Sequence, residues 1–222
     1  MFERRPSPSI LAIGGSIACV SAWLILTGGV WSAAIAAGFV PLRMTSHVAS
    51  IEGFAPFVPL WLTPITAAFI HDGWVHLAFN LLSLAIVGTP TQRAVGLRGV
   101  LVLLLVGAYA SVAAQWLAGP RSPAPMIGAS GAISALIGAY ALLFGGGKAK
   151  AIGPVPAHVV HAVWLGVSWT VLNLAIGWAS AGSEMPIAGA AHAGGFIAGM
   201  VLLRPLLRWR WGARVLKTDT PN

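Results

Sequence analysis

The sequence predicts an all-α fold: a polytopic membrane protein built as one bundle of six transmembrane helices. Three observations predict it. Of 222 residues, 57% are hydrophobic and 8% are charged, with a mean hydropathy of +0.84, where a soluble domain carries about 25% charged residues. Charge-free runs cover 6–42, 53–71, 73–92, 99–120, 122–147, 151–183 and 185–203, and about 20 apolar residues cross a bilayer core. Lipid offers the backbone no hydrogen-bond partners, so runs of this kind span as helices.

The first helix is expected over 10–30. The preceding ERRPSPS and the SAAIAA at 32–37 mimic a signal peptide and its cleavage site. The apolar run from Ile10 is longer than the usual 7–15 residues of such a signal, which favours retention as a span. Segment 31–63 is the longest connection. It holds Trp31, Phe54, Phe57, Trp61 and several prolines but few charges, a composition suited to the membrane interface with tryptophan at headgroup depth. A second helix is expected over 66–88, with His71, Asp72 and His76 in its first turns. The basic TPTQRAVGLR at 89–98 connects it to a third over 99–118. The Pro-rich GPRSPAPM at 119–126 leads into a fourth over 129–145, which opens on Ser130. GGGKAKAIGPVP at 145–156 precedes a fifth over 157–178. ASAGSE at 179–184 precedes a sixth over 187–207, which carries His192 near its start. Residues 1–222 thus read as one integral membrane domain, with a core of about 10–207 and a basic tail at 208–222. No repeat of fixed period is present, so the repeat signature of a transporter is missing.

The net charge of +8 raises nucleic acid as a partner, and its placement argues against it. With both termini inside, the inner segments hold Arg4, Arg5, Arg93, Arg98, Lys148, Lys150, Arg204, Arg208, Arg210, Arg214 and Lys217, and the outer segments hold only Arg43 and Arg121. That is the positive-inside asymmetry of a membrane protein with cytoplasmic termini. The tail RWRWGARVLK reads as an orientation anchor beside anionic lipid. Cys19 is the sole cysteine, so no intramolecular disulfide forms.

The same topology places three motifs at one depth. The second, fourth and sixth helices all start at the outer face. Their first turns carry His71, His76 and Asn80; Gly128, Ser130 and Gly131; and Ala191, His192 and Gly195. A serine hydroxyl becomes a useful nucleophile when a base takes its proton, and histidine is the natural base near neutrality. Ser130 would attack a carbonyl, and His192 would accept and return the proton. Backbone N–H groups at the helix start around Ser130, with His76 and Asn80 on one face of their helix, would bind the oxyanion. Ser130, Ser134 and Gly138 form a small-residue stripe, as do Ala191, Gly195 and Gly199. Such stripes let membrane helices approach closely, which a Ser–His contact between helices requires.

The remaining polar groups have plainer readings. His158 and His161 lie at the inner start of the fifth helix, across the membrane from the motifs, and read as structural. His47 has no evident partner. Asp72 adjoins His71 and nothing ties it to His192, so a dyad is expected rather than a triad.

These residues resemble the rhomboid intramembrane serine proteases over roughly 10–207. The resemblance rests on H-x4-H-x3-N (His71, His76, Asn80), G-x-S-G (Gly128, Ser130, Gly131) and A-H-x2-G-x3-G (Ala191, His192, Gly195, Gly199), in order and at one depth. It implies a bacterial plasma-membrane serine endopeptidase with a Ser130–His192 dyad. It further implies an oxyanion hole of His76, Asn80 and the Ser130 backbone, and a water-filled cavity open to the outer side. His71, Gly128, Gly131, Gly195 and Gly199 support that site. The implied substrates are transmembrane helices, cleaved after a small residue near the outer interface, with no metal, cofactor or ATP. Two departures stand out: Ser134 occupies a place that is often aromatic in relatives, and no Trp-Arg pair is evident around Trp61. Three other classes remain open. A silent relative that escorts membrane helices would be indifferent to Ser130→Ala. A transporter would need polar groups through the full depth. A histidine-based metal enzyme would be sensitive to chelators.

Overall fold

A computed structural model describes residues 6–45, 58–144, 149–179 and 188–212. Eight α-helices are present among them: α1 Pro8–Leu26, α2 Val30–Ala37, α3 Leu42–Thr45, α4 Thr63–Thr66, α5 Trp74–Ala118, α6 Ser130–Phe144, α7 Ala157–Ala179 and α8 Gly189–Trp211. Pairing of strand type among the described residues is limited to isolated bridges at Phe39–Met126 and Ile152–Val155. The fold is an all-α membrane bundle.

Local chemistry sets the boundaries. Proline in the first turn suits the start of α1, because its missing N–H has no helical partner there. The helix stops at Thr27, with Gly28 in the left-handed region (φ 70), so it is shorter than the expected 10–30. The expected second helix also shifts. Residues 66–73 are not its first turns: a 3-10 turn at Ala67–Phe69 and extended backbone at Ile70 and Gly73 precede α5. The expected second and third helices are continuous in α5 except at Gly96 (φ 77, ψ 169), a left-handed conformation that glycine adopts without strain. Ser111, late in α5, lies against Gly131 in the first turn of α6. The chain therefore reverses at Gly96 and its second half returns beside α6.

Segment 31–63 is more structured than a loop, containing α2, α3 and the turn at Leu60–Leu62. Phe39 is buried and exchanges backbone hydrogen bonds with Met126, at 3.1 and 2.7 Å. Leu42 N donates to Ser122 O at 3.0 Å. Trp61 is well exposed. Phe54, Phe57 and His47 lie outside the described residues, as do 180–187 and the tail from 213.

The core runs through the centre of the bundle, where Val100 and Leu103 of α5 meet Ala135, Leu136 and Ala139 of α6 and Leu203 of α8. Small residues pack α6 on α8: Gly195 and Gly199 of the α8 stripe meet Gly131 and Ala135, and of the α6 stripe Gly138 meets Phe196. A side chain added at Gly195 or Gly199 would collide with the carbonyl of Gly131 or Ala135, and one at Gly138 with that of Phe196. Among the described residues, three helices are long and apolar enough to cross a membrane by length and composition: α1, α5 and α8. The chain is an integral membrane protein. The helix α8 extends to Trp211, into the segment expected as tail. There the Arg210 guanidinium donates to the carbonyls of Gln92 and Arg93 (2.8 and 2.7 Å), and Trp211 Nε1 donates to that of Ala94 (2.8 Å). These contacts cap the carbonyls just before the break in α5, so this part of the tail is a clamp within the fold.

Candidate active site

The first turns of α5, α6 and α8 converge on one cavity of about 650 Å³, lined by Asp72, His76, Asn80, Gly128, Ser130, Gly131, Ser134, Trp169 and His192 among others. Ser130 is the first residue of α6, and its Oγ lies 2.7 Å from His192 Nε2 of α8. A hydroxyl donating to an imidazole nitrogen at that distance is a strong neutral hydrogen bond. Helix geometry sets the contact: the glycine contacts between α6 and α8 begin one residue after Ser130 and three after His192. At the start of α6, Ile133 N is bonded to Ala129 O at 2.9 Å. The earlier N–H groups, at Ser130 to Ala132, precede the intrahelical ladder and point toward the helix mouth.

The segment leading to Ser130 is held from two sides. Gly128 N donates to Ala67 O at 2.8 Å, and Ala129 N donates to His71 Nε2 at 3.3 Å. His71 precedes α5 and is fully buried. Its Nδ1 lies 2.8 Å from Ser21 Oγ, and Ser21 donates to Phe69 O at 2.9 Å. Since Nε2 accepts from a backbone N–H, Nδ1 carries the ring proton and donates to Ser21. His71 thus ties α1 to the strap before Ser130 and does not line the cavity.

His76 and Asn80 do line it. Gly128 has φ 101, and a Cβ there would sit 2.7 Å from His76 Cε1 and Nε2, so the His76 ring edge faces the strap two residues before Ser130. Asn80 is buried, and its amide donates to the His76 carbonyl at 2.9 Å. An amide carries two N–H groups, so one bond to its own helix leaves a second donor for the cavity.

Three contacts went unread in the sequence. Asp72 Oδ1 lies 2.7 Å from His76 Nδ1; the i, i+4 spacing signalled it. Ser21 partners His71 across fifty residues, with no local signal. Trp169 of α7 stacks on Phe196 (5.0 Å between ring centroids, 14° between planes), and its Nε1 donates to the His192 carbonyl at 3.3 Å. The aromatic group beside His192 is therefore supplied from α7, while Ser134, at the often aromatic position, is buried at the cavity wall. His161 lies in α7 with its Nε2 buried and unpartnered among the described residues.

An all-α membrane bundle with a serine and a histidine in hydrogen-bond contact at one end of its helices belongs to a narrow class of integral membrane proteins. The family model described as the Rhomboid domain matches residues 59–209, and the chain belongs to the rhomboid family. It is 31% identical over 140 residues to the rhomboid protease GluP of Bacillus subtilis, covering 63% of this chain and 25% of that protein. It is 30% identical over 150 residues to the mitochondrial rhomboid protein 1 of Saccharomyces cerevisiae, covering 65% of this chain and 42% of that protein. With the chloroplastic rhomboid-like protein 11 of Arabidopsis thaliana it shares 36% identity over 78 residues, 35% of this chain and 28% of the relative. The chain spans less than half the length of each.

Proposed function

We propose that the protein is an intramembrane serine endopeptidase that hydrolyses peptide bonds in or near the transmembrane helices of other membrane proteins. The observation that carries this reading is the 2.7 Å contact between Ser130 Oγ and His192 Nε2 at the wall of a cavity in an apolar bundle. Membership of a family that includes a named protease supports it.

In this reading His192 accepts the Ser130 proton as Oγ attacks the scissile carbonyl. The new oxyanion is met by the free N–H groups at the start of α6 and by His76 and Asn80. His192 then protonates the leaving amine, and water repeats the cycle on the acyl-enzyme. Gly128, Gly131, Gly195 and Gly199 support the site by admitting close backbone approach, and His71 supports it by bracing the strap. No cofactor or metal takes part in these steps. The long apolar helices keep the site in the bilayer, so a substrate helix reaches it from the lipid. The charge placement supports six spans with cytoplasmic termini and the cavity open to the outer face of a bacterial plasma membrane. The whole of 1–222 acts as one membrane domain.

The test is cleavage by the purified protein in proteoliposomes, using a single-span substrate with a small, helix-weakening segment near its outer end. Wild type is expected to cleave without ATP or metal. Ser130→Ala and His192→Ala are each expected to lose at least about 10³-fold in rate, the scale of losing a dyad member in serine hydrolases. Wild-type turnover by either variant rejects the dyad.

A further inference from the structure

One side-chain contact in the cavity has no part in the steps above. Asp72 Oδ1 sits 2.7 Å from His76 Nδ1, an i, i+4 pair in which both side chains are about one-third exposed. A pair so exposed contributes little to folding, yet it lies where the chemistry is proposed to occur. Asp72 is the one carboxylate lining the cavity among the described residues. The opposite edge of the same ring, with Cε1 and Nε2, faces the strap at Gly128.

The proton inventory follows from these two contacts. A carboxylate only accepts, so Nδ1 carries a hydrogen and donates it to Asp72. The ring's Nε2 can then donate toward the strap only when it too is protonated. Other groups near the ring do not substitute for the carboxylate. His71 (4.8 Å between ring centroids) accepts at Nε2 from a backbone N–H and is neutral. Gly128 and Ser130 approach from the α6 side, His192 from α8 and Trp169 from α7, and none of them supplies a negative charge.

We propose that Asp72 is a positioning residue: it holds His76 by Nδ1 and supplies the counter-charge that lets His76 meet the oxyanion as a doubly protonated ring. The inference rests on the protease reading above. No atom is transferred to Asp72. The Ser130 proton goes to His192 and on to the leaving amine, the carbonyl oxygen gains and loses its charge, and His76 Nε2–H donates to that oxygen while keeping its proton.

The experiment has three arms. The first compares Asp72→Asn, which keeps size and an acceptor oxygen but removes the charge, with wild type. Turnover (kcat) is expected to fall by about tenfold or more, bounded by the 10²–10³ of losing an oxyanion donor, with KM within about twofold. In the second arm Asp72→Glu, which restores the charge, recovers most of the lost rate. The third arm needs no turnover. Nitrogen NMR of histidine-labelled Ser130→Ala protein is expected to show a hydrogen on both ring nitrogens of His76. Adding Asp72→Asn to that background is expected to leave it protonated on one.

A His76 ring carrying one proton in the presence of Asp72 overturns the proposal, as does an Asp72→Asn enzyme with unchanged kcat. Failure of the protease reading looks different, because wild type would then cleave no faster than Ser130→Ala or His192→Ala, while the nitrogen spectra still report on the Asp72–His76 pair.

Discussion

Gly128 concentrates the demands of the site in a single residue. Its φ of 101 is one that L-residues with a side chain rarely adopt, and a Cβ there would stand 2.7 Å from the His76 ring. The backbone cost of placing alanine in such a conformation is of order 1–3 kcal/mol, and the collision falls on a proposed oxyanion donor. Gly128→Ala is therefore expected to lower kcat more than stability: at least tenfold in turnover, with a loss of about 1–3 kcal/mol in unfolding free energy, read by proteoliposome cleavage and by thermal denaturation in detergent. Equal losses in a glycine remote from the cavity, such as Gly153 (φ 57, with open space around it), would show that strain alone accounts for the result. His71 serves the strap from the other side. Its hydrogen-bond chain from Ala129 through the ring to Ser21 and Phe69 passes through a buried residue, which explains why a polar ring sits there without touching the cavity.

At the level of helices, the contact between Ser130 and His192 depends on how closely α6 and α8 approach. Gly195 and Gly199 face the carbonyls of Gly131 and Ala135, so any side chain at these positions pushes two backbones apart. Overpacking of this kind costs about 1–3 kcal/mol. Gly199→Val is expected to lower the detergent melting temperature by roughly 5 °C and to reduce cleavage further than that loss explains, because His192 rides on the displaced helix. Unchanged turnover in Gly199→Val would detach the dyad geometry from this packing. This interface was legible in the sequence, since small residues four apart in apolar runs have few other uses. Ser130 and His192 were legible for a related reason: polar groups that open apolar stretches stand out against them. The start of α5 was not, because the apolar pattern runs on through Ile70 while extended backbone and a 3-10 turn break the helix. Nor did the pattern reveal α2 and α3, or the backbone bonds of Phe39 to Met126 and of Leu42 to Ser122 that join segments about eighty residues apart. Ser21 and Trp169 escaped for the same reason: each sits in an apolar helix, and only its partner across the fold gives it a role.

Across the whole molecule, α8 links the two ends of the bundle. Its 23 residues span about 35 Å at 1.5 Å per residue. His192 stands in its first turn against Ser130, and Arg210 and Trp211 close its last turn over the carbonyls of residues 92–94. The guanidinium also lies 4.6 Å from the Trp211 ring centroid, so the two side chains brace each other. The carbonyls they cap lie just before the Gly96 break, where helix-end carbonyls have no further turn to receive N–H groups. Both side chains are exposed, so screening reduces the contribution of the clamp to about 1 kcal/mol. Two outcomes distinguish a strut from a lever. If α8 is fixed by its glycine contacts with α6, then Arg210→Ala combined with Trp211→Ala lowers the melting temperature by a few degrees and leaves kcat within about twofold, because Gly195 and Gly199 still hold His192 at Ser130. If instead the clamp sets the axial position of α8, the double variant loses activity at temperatures where it remains fully folded. The first outcome is expected, because close packing near His192 resists axial sliding more strongly than a few exposed hydrogen bonds at the far end can. Measuring kcat and the melting temperature on the same preparation decides between them.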